Sequence, residues 1–492
     1  MKCIVIIGGG IAGLAAAYYV SKQTKADLKI TLLERADYWG GKLVTERVPF
    51  GEGHFVIEGG PDTFVVTKPW GVKLCKELGI ADRLKGTNPE TKKTYILKNG
   101  KLYELPGGLT MMIPTEFGPM IRTGLLSWPA KVRMGLDFLL PPAWVNGDET
   151  LGAFVTRRLG RAAYENLIEP LMSGIYAGDG DKLSLQSTFP YLQDLELEHG
   201  GLVKGALALR WERMRKARAN GGSPSPTPGS RSMFLTPMTG LVEIVEALVK
   251  HLEMNGVELR LRTTVQRVSQ NAPAYSVILN SGESVPADGI IMATPSYVTA
   301  ELIAVFAPHL ADELRPIEYA STATVTLAYR KSDLLRPLDG YGYVIPRHEG
   351  RKALACTWTS TKFPHRAPEG YALLRVFIGR AGQESEITWD ESALLTIAQE
   401  ELRLTLGITG TPLLWRIFIW EKAMPQYNLG HSERLKRIER RLAAYPGLAL
   451  AGNAYQGIGV PDCIRSGEMA TEKILSTLQI PTPMREEAKV VT

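Results

Sequence analysis

The chain has 492 residues, which at about 150 residues per domain predicts about three domains. Hydrophobic residues make up 45% and charged residues 22%, an ordinary globular composition, and 57 Lys+Arg against 51 Asp+Glu leave +6, too small an excess for a nucleic-acid footprint. Cys3, Cys75, Cys356 and Cys463 stand far apart with no C-x-x-C pair, which excludes a disulfide framework, a zinc ribbon and a thioredoxin-type pair and fits a reducing compartment.

Residues 3–20 form an uncharged run whose length alone suits a signal peptide or a marginal membrane span. Its four glycines, crowded into positions 8–13, would fray such a helix. The better reading is a buried strand over residues 2–7, a glycine turn, and an alanine-rich helix beginning over residues 14–20. A second apolar strand, residues 28–33, ends at Glu34 and completes a βαβ unit. No other uncharged apolar run reaches spanning length, which argues against a polytopic membrane protein. Residues 105–220 read as mainly helical, and the Gly/Pro/Ser stretch at 221–230 as a flexible surface loop. Strands are expected over 257–263 and 275–279, and one more within 283–294. Residues 320–420 carry alternating strands such as 323–329 and 372–378. Nucleotide-domain signals recur at both ends and in the middle, so the layout is a discontinuous multidomain one.

Gly8, Gly9, Gly10, Ile11, Ala12 and Gly13 spell G-x-G-x-x-G between that first strand and helix. The first glycine permits the turn, the second lets a pyrophosphate approach the backbone, and the third lets the helix pack on the strand. Free N–H groups at the helix start favour the phosphates. Glu34 ends the second strand, where a carboxylate can accept both ribose hydroxyls. Arg35, Gly40, Gly41 and Lys42 follow at once, and a second glycine pair with a cation suits a longer ligand running back across the sheet. This extension resembles that of the large FAD-binding oxidoreductase superfamily, which includes amine oxidases, carotene desaturases and porphyrinogen oxidases. No second G-x-G-x-x-G occurs, so a separate NAD(P)H domain is not expected and electrons would leave to dioxygen or another acceptor.

Three further stretches resemble the porphyrinogen oxidases of haem biosynthesis more specifically. They are Glu58-Gly-Gly-Pro-Asp-Thr-Phe64 continuing to Lys68-Pro69, LMSGIYAGD at residues 171–179, and residues 450–467, with Met424-Pro-Gln-Tyr427 and Gly430-His431 between the last two. The resemblance implies an α/β fold: a dinucleotide-binding FAD domain (1-85, 231-298, 440-480), an antiparallel-sheet substrate domain (299-425) and an inserted, mainly helical domain (86-220). It also implies oxidation of coproporphyrinogen III or protoporphyrinogen IX to the porphyrin by six electrons, with dioxygen reduced to hydrogen peroxide. Likeness to the bacterial single-chain branch tips the substrate towards coproporphyrinogen III.

Carried onto this sequence, the resemblance places Gly59, Gly60, Pro61 and Asp62 against the isoalloxazine, with a simple turn as the alternative. Lys68 would hold a propionate at the substrate entrance, or be a solvated lysine. Gly174 would let the macrocycle edge approach, or merely break a helix. The Val265 backbone would hold the adenine, Trp420 would pack near the flavin, and Gly459, Val460 and Pro461 would meet its pyrimidine end at the start of the last helix. Core packing is the alternative for Val265 and Trp420. The seven histidines show no metal spacing, so no metal ligand and no catalytic base is assigned.

Trp128 and Trp144, with Leu125, Leu126, Leu139 and Leu140, form either an apolar lip for a macrocycle or bilayer, or a helical core. The basic run at 210–218 could attract a polycarboxylate or an anionic membrane, or be a solvated helix face. The expected location is cytoplasmic, with peripheral membrane contact as the variant. Oligomeric state is not assigned. The rival readings are an amine oxidase or carotene desaturase on the same fold, a monooxygenase, and a flavin- or porphyrin-binding scaffold without turnover.

Overall fold

Apolar, β-branched segments too continuous to alternate faces must be covered on both sides, and here they are. Lys2–Ile7 is central in a five-stranded parallel sheet ordered Glu258–Arg260, Leu28–Leu33, Lys2–Ile7, Gly289–Met292, Leu448–Leu450. The strands come from the beginning, middle and end of the chain. The computed structural model describes residues 1–23, 28–110, 113–114, 116–143, 147–219, 232–271 and 273–481; the loop expected at 221–230 and Trp144 lie outside these. The uncharged run at 3–20 is a strand, a glycine turn and the start of the buried helix Ile11–Gln23. Among the described residues no helix is long and apolar enough to cross a membrane.

One expected strand shortens, and another is found together with a second strand beside it. Residues 257–263 shorten to Glu258–Arg260, because Arg262 turns away with φ +52°. Residues 283–294 divide between two sheets. Ser284–Ala287 alternates exposed and buried and pairs antiparallel with Ala274–Leu279, whereas Gly289–Met292 is buried throughout and joins the parallel sheet. Asp288 separates them, its carboxylate accepting the Cys3 N–H at 2.7 Å.

Helix Ile11–Gln23 packs parallel to the last helix, Val460–Thr477, through small residues. A Cβ on Gly467 would stand 2.4 Å from the Ala12 carbonyl oxygen, and the Thr471 hydroxyl donates to the Ala16 carbonyl at 3.1 Å. The close approach brings both helix N-termini to the same end of the parallel sheet.

A second sheet of seven strands is ordered Leu414–Pro425, Tyr319–Arg330, Tyr371–Ile378, Ala353–Trp358, Gly342–Val344, Tyr95–Lys98, Lys101–Glu104. It is antiparallel except where Gly342–Val344 meets Tyr95–Lys98. The Tyr95–Glu104 hairpin therefore extends this sheet, although it lies in the segment expected to be mainly helical. Helices between Phe117 and Ala219 share a core containing Leu125, Leu126, Phe154, Leu167 and Met172. Leu125 and Leu126 are thus core, while Trp128 and Leu139 project from it, 65% and 76% exposed.

Candidate cofactor-binding site

The site begins at the turn between Lys2–Ile7 and Ile11–Gln23. Gly8 takes φ +109°, and a Cβ there would lie 2.7 Å from the Ala293 carbonyl oxygen. A Cβ on Gly13 would stand 1.9 Å from the Gly8 carbonyl oxygen, so the helix rests directly on the turn. Gly10 is different: a Cβ there meets nothing within 4 Å. Its face is open, and the N–H groups of Ala12 and Gly13 meet no acceptor among the described residues. An open glycine beside free N–H groups at a helix start fits a pyrophosphate.

Glu34 joins this turn to its neighbours. Its Oε2 accepts the Gly9 N–H at 2.6 Å and its Oε1 the Ala36 N–H at 2.8 Å, and each oxygen keeps a lone pair for a ribose hydroxyl. The Glu34 carbonyl accepts the Thr263 N–H at 2.8 Å, which sets Val265 two residues beyond this contact, at the start of strand Val265–Asn271. Arg35 is exposed.

The second glycine pair continues the cradle. Gly40 donates its N–H to the Gly9 carbonyl at 2.9 Å, and a Cβ on Gly41 would lie 3.1 Å from the Gly10 Cα. A Cβ on Gly60 would stand 1.9 Å from the Lys42 carbonyl oxygen. Gly10, Gly41, Lys42 and Gly60 thus lie along one line of backbone contact. The Lys42 ammonium donates to the Ala423 carbonyl and has no carboxylate in ion-pair range among the described residues. Burial lowers its pKa to about 8.

The Gly59–Asp62 loop follows strand Gly53–Glu58 and is fastened to the second sheet. The Gly59 carbonyl accepts from the Thr324 hydroxyl at 2.9 Å, the Trp420 indole N–H at 2.8 Å and the Arg375 guanidinium at 3.2 Å. The same guanidinium donates to the Gly60 carbonyl. Asp62 pairs with Lys362 at 3.1 Å. Burial opposes ionisation of Asp62, but Lys362, Arg375 and Arg366 outweigh it and hold the carboxyl at about 2.

The third element is the start of the last helix, where Gly459 is the N-cap and Val460 the first helical residue. Asp462 accepts the Gly459 N–H at 3.1 Å and pairs with Lys68 at 2.6 Å. A Cβ on Gly71 would lie 3.4 Å from Pro461. Lys68 therefore ties the chain after the Gly59–Asp62 loop to the last helix. Gly174 lies inside helix Glu169–Tyr176 and does not break it; the helix ends at Ala177, φ +47°. Gly174 is exposed, 3.8 Å from Val344 by its Cβ position. It connects to the rest indirectly, through Gln426, whose amide donates to the Tyr176 and Met424 carbonyls.

Of the residues expected at the site, the structure brings together Gly8–Gly13, Glu34, Gly41, Lys42, Gly59–Asp62 and Trp420, and links Lys68 to Gly459–Pro461. Arg375, Thr324 and Lys362 were not expected. The sequence did carry a signal for Arg375, a lone charge within the apolar strand Tyr371–Ile378. The open Gly10 face, the free N–H groups and Lys42 without an acidic partner fit an anionic dinucleotide.

Comparison with known proteins accords with this geometry. Residues 11–475 match the family described as flavin containing amine oxidoreductase. The chain is 38% identical over 481 residues to a coproporphyrinogen III oxidase of Bacillus subtilis (strain 168), covering 97% of this chain and 98% of that one. It is 29% identical over 486 residues to a chloroplastic protoporphyrinogen oxidase of Oryza sativa subsp. japonica, covering 96% of this chain and 87% of that one. A crystal structure of a protein from Exiguobacterium sp. 255-15 superposes with a TM-score of 0.82 at 34% identity, covering 97% of this chain and 99% of that one.

Proposed function

The chain belongs to the flavin-containing amine oxidoreductase family, and from that premise we propose that it oxidises coproporphyrinogen III to coproporphyrin III. It is an FAD-dependent oxidoreductase. The observation that supports the substrate most is the 38% identity, over nearly the whole chain, to a coproporphyrinogen III oxidase, against 29% to a protoporphyrinogen oxidase. Dioxygen is the proposed acceptor. Six electrons and six protons leave the substrate in three two-electron steps, and three dioxygen molecules take them up as three hydrogen peroxide.

When bound, FAD supplies the acceptor for hydride from the meso carbons. The chain's residues bind and orient it. Gly10 and the start of helix Ile11–Gln23 hold the pyrophosphate, Glu34 the ribose, and Val265 the adenine by its backbone. Lys42 supplies a cation on the path between ribose and ring. The Gly59–Asp62 loop, tied to Trp420, would hold the isoalloxazine, and Gly459, Val460 and Pro461 would offer its pyrimidine end the positive end of the last helix. The roles carried over for Lys68 and Gly174 are to receive a propionate and to let the macrocycle edge approach; the 44% exposure of the Lys68 side chain supports the first, alongside its ion pair with Asp462, and the open surroundings of Gly174 the second. The parts of the chain divide accordingly: 1-85, 231-298 and 440-480 for FAD, 86-220 and 299-425 for the substrate.

Peripheral membrane contact of a cytoplasmic protein is supported by one exposed set, Trp128, Val132, Phe138 and Leu139, with Lys131 4.8 Å over the Trp128 ring.

The test is steady turnover of the holoenzyme in air on coproporphyrinogen III and protoporphyrinogen IX in parallel, with porphyrin read by fluorescence and peroxide by a coupled peroxidase. The reading expects three peroxides per coproporphyrin and the higher kcat/KM for coproporphyrinogen III. Turnover of neither substrate would overturn it.

A further inference from the structure

Buried and partly buried charges cluster at the Gly59–Asp62 loop, and Arg375 among them has no role in FAD binding so far. Arg366, 1% exposed, pairs with Glu58 at 2.7 Å, and Lys362 pairs with Asp62 at 3.1 Å. Arg375, 2% exposed, has no carboxylate in ion-pair range among the described residues. Its Nη2 donates to the Gly59 and Gly60 carbonyls, its Nε and Nη1 meet no acceptor, and its guanidinium carbon lies 4.7 Å from the Phe377 ring centre. Three cations against two carboxylates leave one positive charge buried in this group. Desolvation also pulls the Arg375 guanidinium below its ordinary pKa. Asp62 and Glu58 offset part of this through space, but a buried cation in no direct ion pair still costs the fold stability.

The hydrogen bonds have a directional consequence. In a trans peptide the N–H points opposite to the preceding carbonyl. With the Gly59 carbonyl held towards the sheet by Thr324, Arg375 and Trp420, the Gly60 N–H faces away from the sheet, and it meets no acceptor among the described residues.

We propose that Arg375 is a positioning residue for the flavin: it turns the Gly60 N–H outward to the ring and supplies a fixed positive charge that favours the reduced, anionic ring over the oxidised, neutral one. This rests on FAD being the cofactor and on the Gly59–Asp62 loop lying along its ring.

The experiment measures the flavin midpoint potential against reference dyes, and the dissociation constant of oxidised FAD, for wild type, Arg375→Gln, Arg375→Lys and Thr324→Val. Arg375→Gln weakens binding of reduced flavin at least about tenfold more than oxidised flavin, a fall in potential of about 30 mV or more for a two-electron couple. Thr324→Val removes a bond to the same carbonyl but no charge, and its potential falls by clearly less. Arg375→Lys tracks wild type at neutral pH and drops below it at alkaline pH, where a desolvated lysine loses its proton. An unchanged potential in Arg375→Gln with FAD bound overturns the proposal, as does a Thr324→Val loss equal to it. Should Arg375→Gln fail to hold FAD, the Arg375→Lys curve decides: parallel to wild type at every pH overturns the proposal, and divergence at alkaline pH supports it. Wild-type protein that takes up no FAD would instead overturn the cofactor reading on which the proposal rests.

Discussion

Trp420 donates its indole N–H to the Gly59 carbonyl at 2.8 Å, fastening the edge strand of the seven-stranded sheet to a loop 361 positions earlier in the chain. Trp420→Phe keeps an aromatic six-membered ring and removes the bond, while Thr324 and Arg375 still hold the carbonyl. The expected cost is about 0.5–1.5 kcal/mol, the net worth of one hydrogen bond, read as a shift in the denaturation midpoint of the holoenzyme. An unchanged midpoint would show that the bond does not hold the loop.

Gly10 and Gly13 separate binding from folding. Gly10→Val adds a side chain where a Cβ meets nothing within 4 Å, so the apoprotein keeps its Tm. The added side chain fills the face proposed for the pyrophosphate, and the Kd for FAD is expected to rise about 100-fold, the equivalent of about two or three lost hydrogen bonds. Gly13→Val drives a side chain into the Gly8 carbonyl and destabilises the fold itself by at least about 1–3 kcal/mol. Titration of apoprotein with FAD, beside thermal denaturation of both variants, checks the contrast. Equal effects of the two substitutions on Tm would refute it.

Glu34→Ala removes a carboxylate that accepts two backbone N–H groups, each such bond to a charged group being worth about 1.5–3 kcal/mol. Both the fold of the turn and the proposed ribose contact would suffer. FAD affinity is expected to fall about 100-fold, with a lowered apoprotein Tm. A variant that binds FAD as wild type does would remove Glu34 from the site.

Lys42 gives the apoprotein a pH signature. Its folded pKa is about 8 against 10.5 ordinarily. Between those values the unfolded chain binds more protons at this residue than the folded one, so stability rises with pH across the window and the full penalty stands below it. Apoprotein Tm measured from pH 7 to pH 10 should carry an upward contribution that Lys42→Met abolishes. Identical slopes in the two proteins would contradict the burial argument.

The parallel-sheet half of the fold was legible because its signals are local. Strand, glycine turn, helix and Glu34 follow one another within 34 positions, and Gly8 and Gly13 have steric reasons visible in the motif while Gly10 leaves a face open. The placement of the last helix on the first was not legible, since it depends on Gly467 meeting Ala12 from the far end of the chain. Residues 283–294 hold the expected apolar strand, Gly289–Met292, and a further one, Ser284–Ala287, marked only by its alternation up to Asp288. At the site, resemblance singled out Gly59–Asp62 and Trp420, but not the hydrogen bond between Gly59 and Trp420. Arg375 was passed over because strand periodicity says which face a residue occupies and not what lies beyond it. The Tyr95–Glu104 hairpin gives no local sign of its sheet, because its partner strand, Gly342–Val344, lies 248 positions away.

Electron transfer from coproporphyrinogen III to bound FAD, the proposed reaction, is tested most directly by anaerobic titration of the holoenzyme. One equivalent of coproporphyrinogen III should bleach three equivalents of bound flavin and yield one of fluorescent coproporphyrin, with the yellow colour returning on admission of air. Flavin that stays oxidised under coproporphyrinogen III, or that bleaches faster with protoporphyrinogen IX, would contradict the account.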